Sequence, residues 1–348
     1  MKTLLFHLKS DEATDHHPVI EQAAQILRRG GLVAIPTETV YGLAANALDV
    51  AAVERIFAAK QRPKWDPLIV HIASMDMLSM VAGEVPDNIK ELTANFWPGP
   101  LTLLLPRSNG IPPIVTAGRR NVAVRMPAHP VAQALIRAAG LPLAAPSANL
   151  FGHTSPTSAE HVLRDLDGRI DAVLDAGPTQ VGVESTVLDA LRSPPLLLRP
   201  GGVTREQLEA VLGPIEIYRA PDNQPPEALA SPGLAAKHYA PHAKLVLVAG
   251  NEAAFQNELR LRVQYAKDSG EYVGAMAPEG WLNQALIERG GLVLYDWGTW
   301  GNWEVLAKRL FAGLRYLDKP GVTTIVCPMP DPEGIGLALY DRLTKAAK

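Results

Sequence analysis

Residues 101–126 read LTLLLPRSNGIPPIVTAGRRNVAVRM. The apolar runs 101–105 and 122–126 have the length and composition of buried strands. No helix is read between them, whereas Pro130–Ala139 supplies one before the next strand-like run, 141–145. A parallel pair needs a long crossover, usually a helix, so strands that follow one another directly point to a mixed sheet.

The pattern continues outward. Upstream, a helix over 18–29 ends at Gly30-Gly31, and a short strand, 32–35, is closed by Pro36. Asp49 is placed to cap a helix over 50–60, a strand follows at 67–72, and Ser74 opens another helix. Downstream, 172–174, 186–189 and 196–199 read as strands, and Thr204 caps a helix to Leu212.

Residues 214–241 break this rhythm with Pro-Asp-Asn-Gln-Pro-Pro and Ser-Pro-Gly, the composition of a linker or crossing loop. Beyond it, strands at 244–250, 272–276, 292–295 and 323–327 alternate with helices, one of them between 276 and 292. Strict alternation implies a small parallel, Rossmann-like α/β domain. With 348 residues, two cores are expected. The division read here is a catalytic α/β domain with an open mixed sheet over 1–213, a linker or active-site loop over 214–243, and the C-terminal domain over 244–348.

Composition narrows the classes. The 47% hydrophobic and 20% charged content is that of a globular chain rather than a disordered one. One cysteine, Cys327, rules out an internal disulfide and fits a reducing, cytoplasmic setting. The apolar stretch in MKTLLFHLKSDEATDHH is too short for a secretory signal, and no run approaches the roughly 20 residues of a membrane span, so no membrane role is expected.

Net charge is −3, yet no acidic residue lies between Glu91 and Glu160, an interval holding Arg107, Arg119, Arg120, Arg125 and Arg137. Just upstream stand Lys60, Arg62 and Lys64. A local positive field in a near-neutral protein suits a compact anionic ligand better than a long nucleic acid.

Candidate chemistry gathers in four places. Thr37 and Thr39 follow a strand in PTETVYG, where hydroxyls can hold a small polar ligand. Lys60 and Arg62 follow a helix; a helix C-terminus accounts for Lys60 alone, whereas Arg62 offers a bidentate grip on phosphate oxygens. Arg125 lies in a strand and requires a carboxylate, from the protein or from a ligand. Hydroxyl- and glycine-rich segments, APSAN, Ser155-Pro-Thr157, ESTV and LRPGG, suit hydrogen bonds to a nucleotide. GxxxxGK[ST], HExxH and GxSxG do not occur.

In this order, PTETVYGL, KQRPKWDPLIVHI, WPGPLTLLL, VAVRMP, APSAN, ESTV and LRPG resemble the YrdC-type threonylcarbamoyl-AMP synthases, densely over 30–213. Ser231-Pro-Gly and His238-Tyr-Ala-Pro resemble the linker of that family's two-domain long form. The resemblance implies an αβ-twist catalytic fold and a nucleotidyltransferase reaction. L-threonine, bicarbonate (or CO2) and ATP, with Mg2+, give threonylcarbamoyl-AMP and pyrophosphate, for tRNA modification. It implies a threonine pocket of Thr39, His71, Arg125, the backbone at Ala145, and Ser185. The implied ATP contacts are Lys60, Arg62, Asp66, Asn121, Ser147, Ser155, Arg199 and Tyr239. Asp66 stands where the family often has an amide, and Asn121 where a hydroxyl is common. No covalent nucleophile is implied. A separate threonylcarbamoyl transferase complex is the expected downstream partner, with tRNA contact indirect.

Two rival classes are weighed. A non-catalytic RNA-binding module could use the basic face, but aromatic stacking patterns and RGG tracts are missing. The carbamoyl-adenylate enzymes of hydrogenase maturation carry zinc-finger cysteines, and this chain has a single cysteine.

Overall fold

The computed structural model describes residues 2–219, 231, 233, 238–282 and 290–348, apart from the side chains of 88 and 267–269. The helix read between 276 and 292 falls largely outside the described residues, as does much of the segment read as a linker. The chain forms two compact units, one of 1–151 with 155–235, the other of 152–154 with 236–348.

In the first unit the described strands are β1 (Leu4–His7), β2 (Val33–Ile35), β3 (Gly42–Asn46), β4 (Ile69–His71), β5 (Leu101–Pro106), β6 (Asn121–Arg125), β7 (Leu143–Ala144), β8 (Ala172–Asp175), β9 (Thr186–Asp189), β10 (Leu196–Arg199) and β11 (Glu216–Ile217). They form one sheet in the order β1-β8-β2-β3-β7-β4-β6-β5-β9-β10-β11. β5 pairs antiparallel with β6, the direct succession read from residues 101–126, while β4–β6 and β5–β9 are parallel. The sheet is therefore mixed.

Helices α1 (Pro18–Arg28), α2 (Val50–Lys60), α3 (Leu78–Val81), α4 (Asp87–Phe96), α5 (Pro130–Ala139), α6 (Ala159–Leu166) and α7 (Arg205–Leu212) belong to the same unit. α1 and α5 begin alike. His17 and His129 each accept a hydrogen bond from the backbone two residues on, and each is followed by proline at the first helical position. Ile20 and Leu27 of α1 pack with Val131, Leu135 and Ile136 of α5 over Val33 and Ile35 of the sheet. Burying side chains of this size contributes about 1.5–3 kcal/mol each.

Residues 141–145 form a shorter strand than their composition suggests. Pro142 and Pro146 flank β7 and have no N–H to offer a ladder, so pairing stops at Leu143–Ala144.

The second unit holds β12 (Lys244–Val248), β13 (Tyr272–Pro278), β14 (Leu292–Gly298) and β15 (Val322–Pro328), a wholly parallel sheet in the order β12-β15-β13-β14. Helices α8 (Glu252–Ser269), α9 (Trp303–Leu317) and α10 (Gly336–Ala346) accompany it. Phe255, Leu259 and Val263 pack on Val273, Ala275 and Val326, burying one stripe of α8 against the sheet. Among the described residues, no helix is long and apolar enough to cross a membrane.

Candidate active site

Strand register collects the chemistry at one region of the first sheet. β4–β6 pairing sets His71 beside Arg125, and β5–β6 pairing sets Arg125 beside Thr102. The turn between β2 and β3 delivers Thr37, Glu38 and Thr39 to the same place. Thr37 Oγ1 donates to Val40 O (2.6 Å), fixing the turn, and lies 2.8 Å from Thr39 Oγ1.

Arg125 is the hub. Its Nε donates to Gly99 O at 3.2 Å and its Nη1 to Thr39 Oγ1 at 2.9 Å. Nη2 stands 2.6 Å from Glu38 Oε1 as an ion pair, but at an angle that completes no hydrogen bond. Both side chains are nearly closed off from solvent, at 5% and 8% exposure. Burial is the largest influence and opposes ionisation of Glu38, yet the Arg125 charge, joined by polar contacts from Arg125 and from the backbone at Glu38 and Ala128, outweighs it and holds the carboxyl below its ordinary range.

His71 is buried and its Nδ1 has no hydrogen-bond partner. Burial, aided by the Arg125 charge and opposed by Glu38, pushes its pKa down to about 3. The imidazole is therefore neutral near pH 7. Ala145 already donates its N–H to Ile69 O (2.9 Å), so its carbonyl is the backbone group left for a ligand.

Ser185 extends the site. Its Oγ lies 2.8 Å from Thr102 Oγ1, and Arg199 donates to Ser185 O (3.1 Å) and Oγ (3.2 Å). The neighbouring Glu184 accepts a short hydrogen bond from Ser155 Oγ. Gly201 permits this closeness. A Cβ there would fall 2.3 Å from Glu184 O and 2.4 Å from Thr186 N, distances no side chain tolerates.

A basic cluster adjoins these groups. Gln61, in the left-handed region at φ 54°, ends α2 and turns the chain between Lys60 and Arg62. Lys60 Nζ donates to Ser147 O and to Asn149 O (2.6 Å), and Ser147 Oγ donates to Asn149 Oδ1 (2.5 Å). Arg62 is clamped by Asp66 O (3.2 Å), Pro67 O (2.8 Å) and the Asp66 carboxylate (2.9 Å). Burial raises the Asp66 carboxyl above its ordinary range, while Arg62, Lys60, Arg119 and Arg199 all pull it back. Those four charges place Lys60, Arg62, Asp66 and Arg199 in one electrostatic neighbourhood.

Hydrogen bonds thus join Thr39 to Arg125, and Ser185 to both Thr102 and Arg199, while strand register sets Thr102 and His71 beside Arg125. Asn121 begins β6 and is half-buried. Tyr239 lies in the second unit, buried, at φ 64°, with Phe311 at 5.7 Å and the Arg342 guanidinium at 5.1 Å from its ring. The sequence reading assigned no part to Glu38, Thr102, Asn149, Glu184 or Gly201. All five lay inside quoted motifs, but the contact of Thr102 with Ser185 becomes visible only through the parallel pairing of β5 with β9.

Among the described residues, no group of three or more His, Cys, Asp or Glu side chains could hold a metal ion. An ion arriving on phosphates needs no such cage, because magnesium commonly keeps its waters and takes phosphate oxygens with one or two carboxylates.

The sequence profile of the Sua5/YciO/YrdC family, described as telomere recombination, matches residues 25–201. The profile described as threonylcarbamoyl-AMP synthase, C-terminal domain, matches 203–348. The threonylcarbamoyl-AMP synthase of Pyrococcus abyssi is 44% identical over 94% of this chain and 94% of its own. That of Bacillus subtilis is 46% identical over 97% and 95%. The crystal structure of P. abyssi Sua5 complexed with L-threonine superposes with a TM-score of 0.87 at 40% identity, covering 100% of this chain and 98% of that one.

Proposed function

The chain belongs to the Sua5/YciO/YrdC family in its two-domain form, and from that premise we propose that it is an L-threonylcarbamoyladenylate synthase. It converts L-threonine, CO2 and ATP into threonylcarbamoyl-AMP and pyrophosphate, with one water also released when bicarbonate supplies the carbon. The observation that carries this reading is the contiguity of two side-chain clusters. An arginine, a carboxylate, a neutral histidine and hydroxyls suited to an amino acid adjoin buried cations suited to a triphosphate.

The threonine amine attacks carbon dioxide, forming the N–C bond of a carbamate and losing a proton. A carbamate oxygen then attacks the α-phosphorus, and pyrophosphate leaves with the electron pair of the broken P–O bond. This sequence needs no protein nucleophile. Arg125 holds the substrate carboxylate, a charged hydrogen bond contributing about 1.5–3 kcal/mol. Thr39 and Ser185 satisfy its remaining polar groups, and His71, being neutral, serves as a hydrogen-bonding partner.

Lys60, Arg62 and Arg199 neutralise phosphate charge, and Ser147 and Ser155 offer hydroxyls to the nucleotide. Mg2+ bound with ATP would lower the charge that these cations must meet. The acyl-adenylate is an activated donor. A separate transferase acting on a tRNA adenosine is the consumer consistent with the family.

Lys60, Arg62, Arg125 and Arg199 are all below 8% exposed, which fits an enclosed small anion better than the backbone of an RNA. Pyrophosphate release measured with each substrate omitted in turn tests the reading. Dependence on threonine, bicarbonate and ATP together supports it, and release without threonine contradicts it.

A further inference from the structure

An amino acid is a zwitterion, and a site that binds it must meet both charges. Arg125 accounts for the carboxylate. Of its five N–H groups, the bonds to Gly99 and Thr39 engage two, leaving three, including both on Nη2. Glu38 is the counterpart. It is buried, and neither of its carboxylate oxygens has a well-aligned hydrogen-bond donor.

A buried carboxylate left this way forgoes charge-assisted hydrogen bonds unless something supplies them. Its ion pair with Arg125 offsets the charge without using the directional capacity of either group. His71 beside them has an open Nδ1 as well. Arg125, Glu38 and His71, all buried and all with open hydrogen-bonding capacity, are thus neighbours.

We propose that Glu38 and Arg125 act together as a zwitterion receptor, with Glu38 receiving the α-ammonium of threonine while Arg125 grips the α-carboxylate. The inference rests on the threonine-activating reading above and adds a residue to it. Glu38 remains ionised near neutral pH because, against burial, the Arg125 charge and the polar contacts of Arg125 and the nearby backbone together hold its carboxyl below the ordinary range. Ligand binding replaces one off-angle ion pair with two sets of charge-assisted hydrogen bonds.

Two single-charge probes separate the halves. L-Threoninol keeps the ammonium and lacks the carboxylate; (R)-3-hydroxybutyrate keeps the carboxylate and lacks the ammonium. Their affinities, and that of L-threonine, are measured by calorimetry or competition on the full chain and on Glu38→Gln and Glu38→Asp. In Glu38→Gln, affinity for threonine and threoninol falls by roughly 10- to 100-fold, while that for 3-hydroxybutyrate stays within about threefold. Glu38→Asp retains the charge and recovers part of the loss for both amines. If Glu38→Gln does not fold, Glu38→Asp carries the test, with its loss confined to the two amines.

An equal loss for all three ligands would show that Glu38 only positions Arg125, and overturns the proposal. Unchanged threonine affinity overturns it too. Failure of the parent chain to bind threonine would instead overturn the reading beneath it.

Discussion

Arg62 and Asp66, four residues apart, form an ion pair of 2.9 Å with side chains 4% and 3% exposed. The carboxylate therefore occupies the surroundings proposed for a triphosphate, and its charge opposes the nucleotide. Arg62 retains its bonds to Asp66 O and Pro67 O whatever the side chain at 66. Asp66→Asn should lower the KM for ATP by roughly three- to tenfold, because one negative charge is removed beside the phosphates. Stability should fall by about 1–3 kcal/mol from the weakened pair. Steady-state kinetics and urea unfolding measure both, and a raised KM would show that the carboxylate contributes favourably to the nucleotide site.

The Glu38–Arg125 pair sets up a double-mutant cycle. Arg125→Ala leaves a buried carboxylate uncompensated and should cost about 3–5 kcal/mol of stability, besides raising the threonine KM. Adding Glu38→Ala should restore about 1–3 kcal/mol of that loss while leaving threonine binding impaired. Chemical denaturation of the four proteins reads the coupling; simple additivity would mean that the two charges are independent.

Local signals made much of this architecture legible. Gly30, Asp49 and Thr204 mark helix ends, and the direct succession of two strands in 101–126 announces a mixed sheet. The sequence also shows that Arg125 needs a carboxylate. It leaves open whether protein or ligand supplies it, and the structure places Glu38 at 2.6 Å. What local pattern does not carry is long-range register. Thr102 and Ser185 touch across 83 positions because β5 pairs with β9, and Lys60 meets Asn149 across 89. Neither contact leaves a periodicity in the chain.

His71 links pH to stability. Its folded pKa, about 3, lies below the ordinary value of 6.5, so the folded state disfavours the charged imidazole. Its stabilisation is present above the unfolded pKa and is lost as pH falls from 6.5 toward 3. Between pH 7 and pH 5 the loss should be about 2 kcal/mol. His129, also shifted down by burial, adds to the slope in the same direction. His71→Gln should flatten the profile by the His71 share, and an unchanged slope would show that His71 does not titrate in this way.

Gly201 holds the loop that presents Ser185. Gly201→Ala must displace Glu184, Ser185 or Thr186, whose backbone atoms lie 2.3–2.5 Å from the added carbon. A stability loss of about 1–3 kcal/mol is expected, together with a higher threonine KM, since Ser185 moves with its backbone. Thermal unfolding and kinetics test this; unchanged values for both would mean that the loop tolerates the shift.

The central claim is that a threonine pocket and a triphosphate pocket act as one site. Pyrophosphate release from ATP, followed while threonine and bicarbonate are each withheld, tests it most directly. The account predicts release only when threonine, bicarbonate and ATP are all present. Release of pyrophosphate from ATP without threonine, or none with the full set, would contradict it.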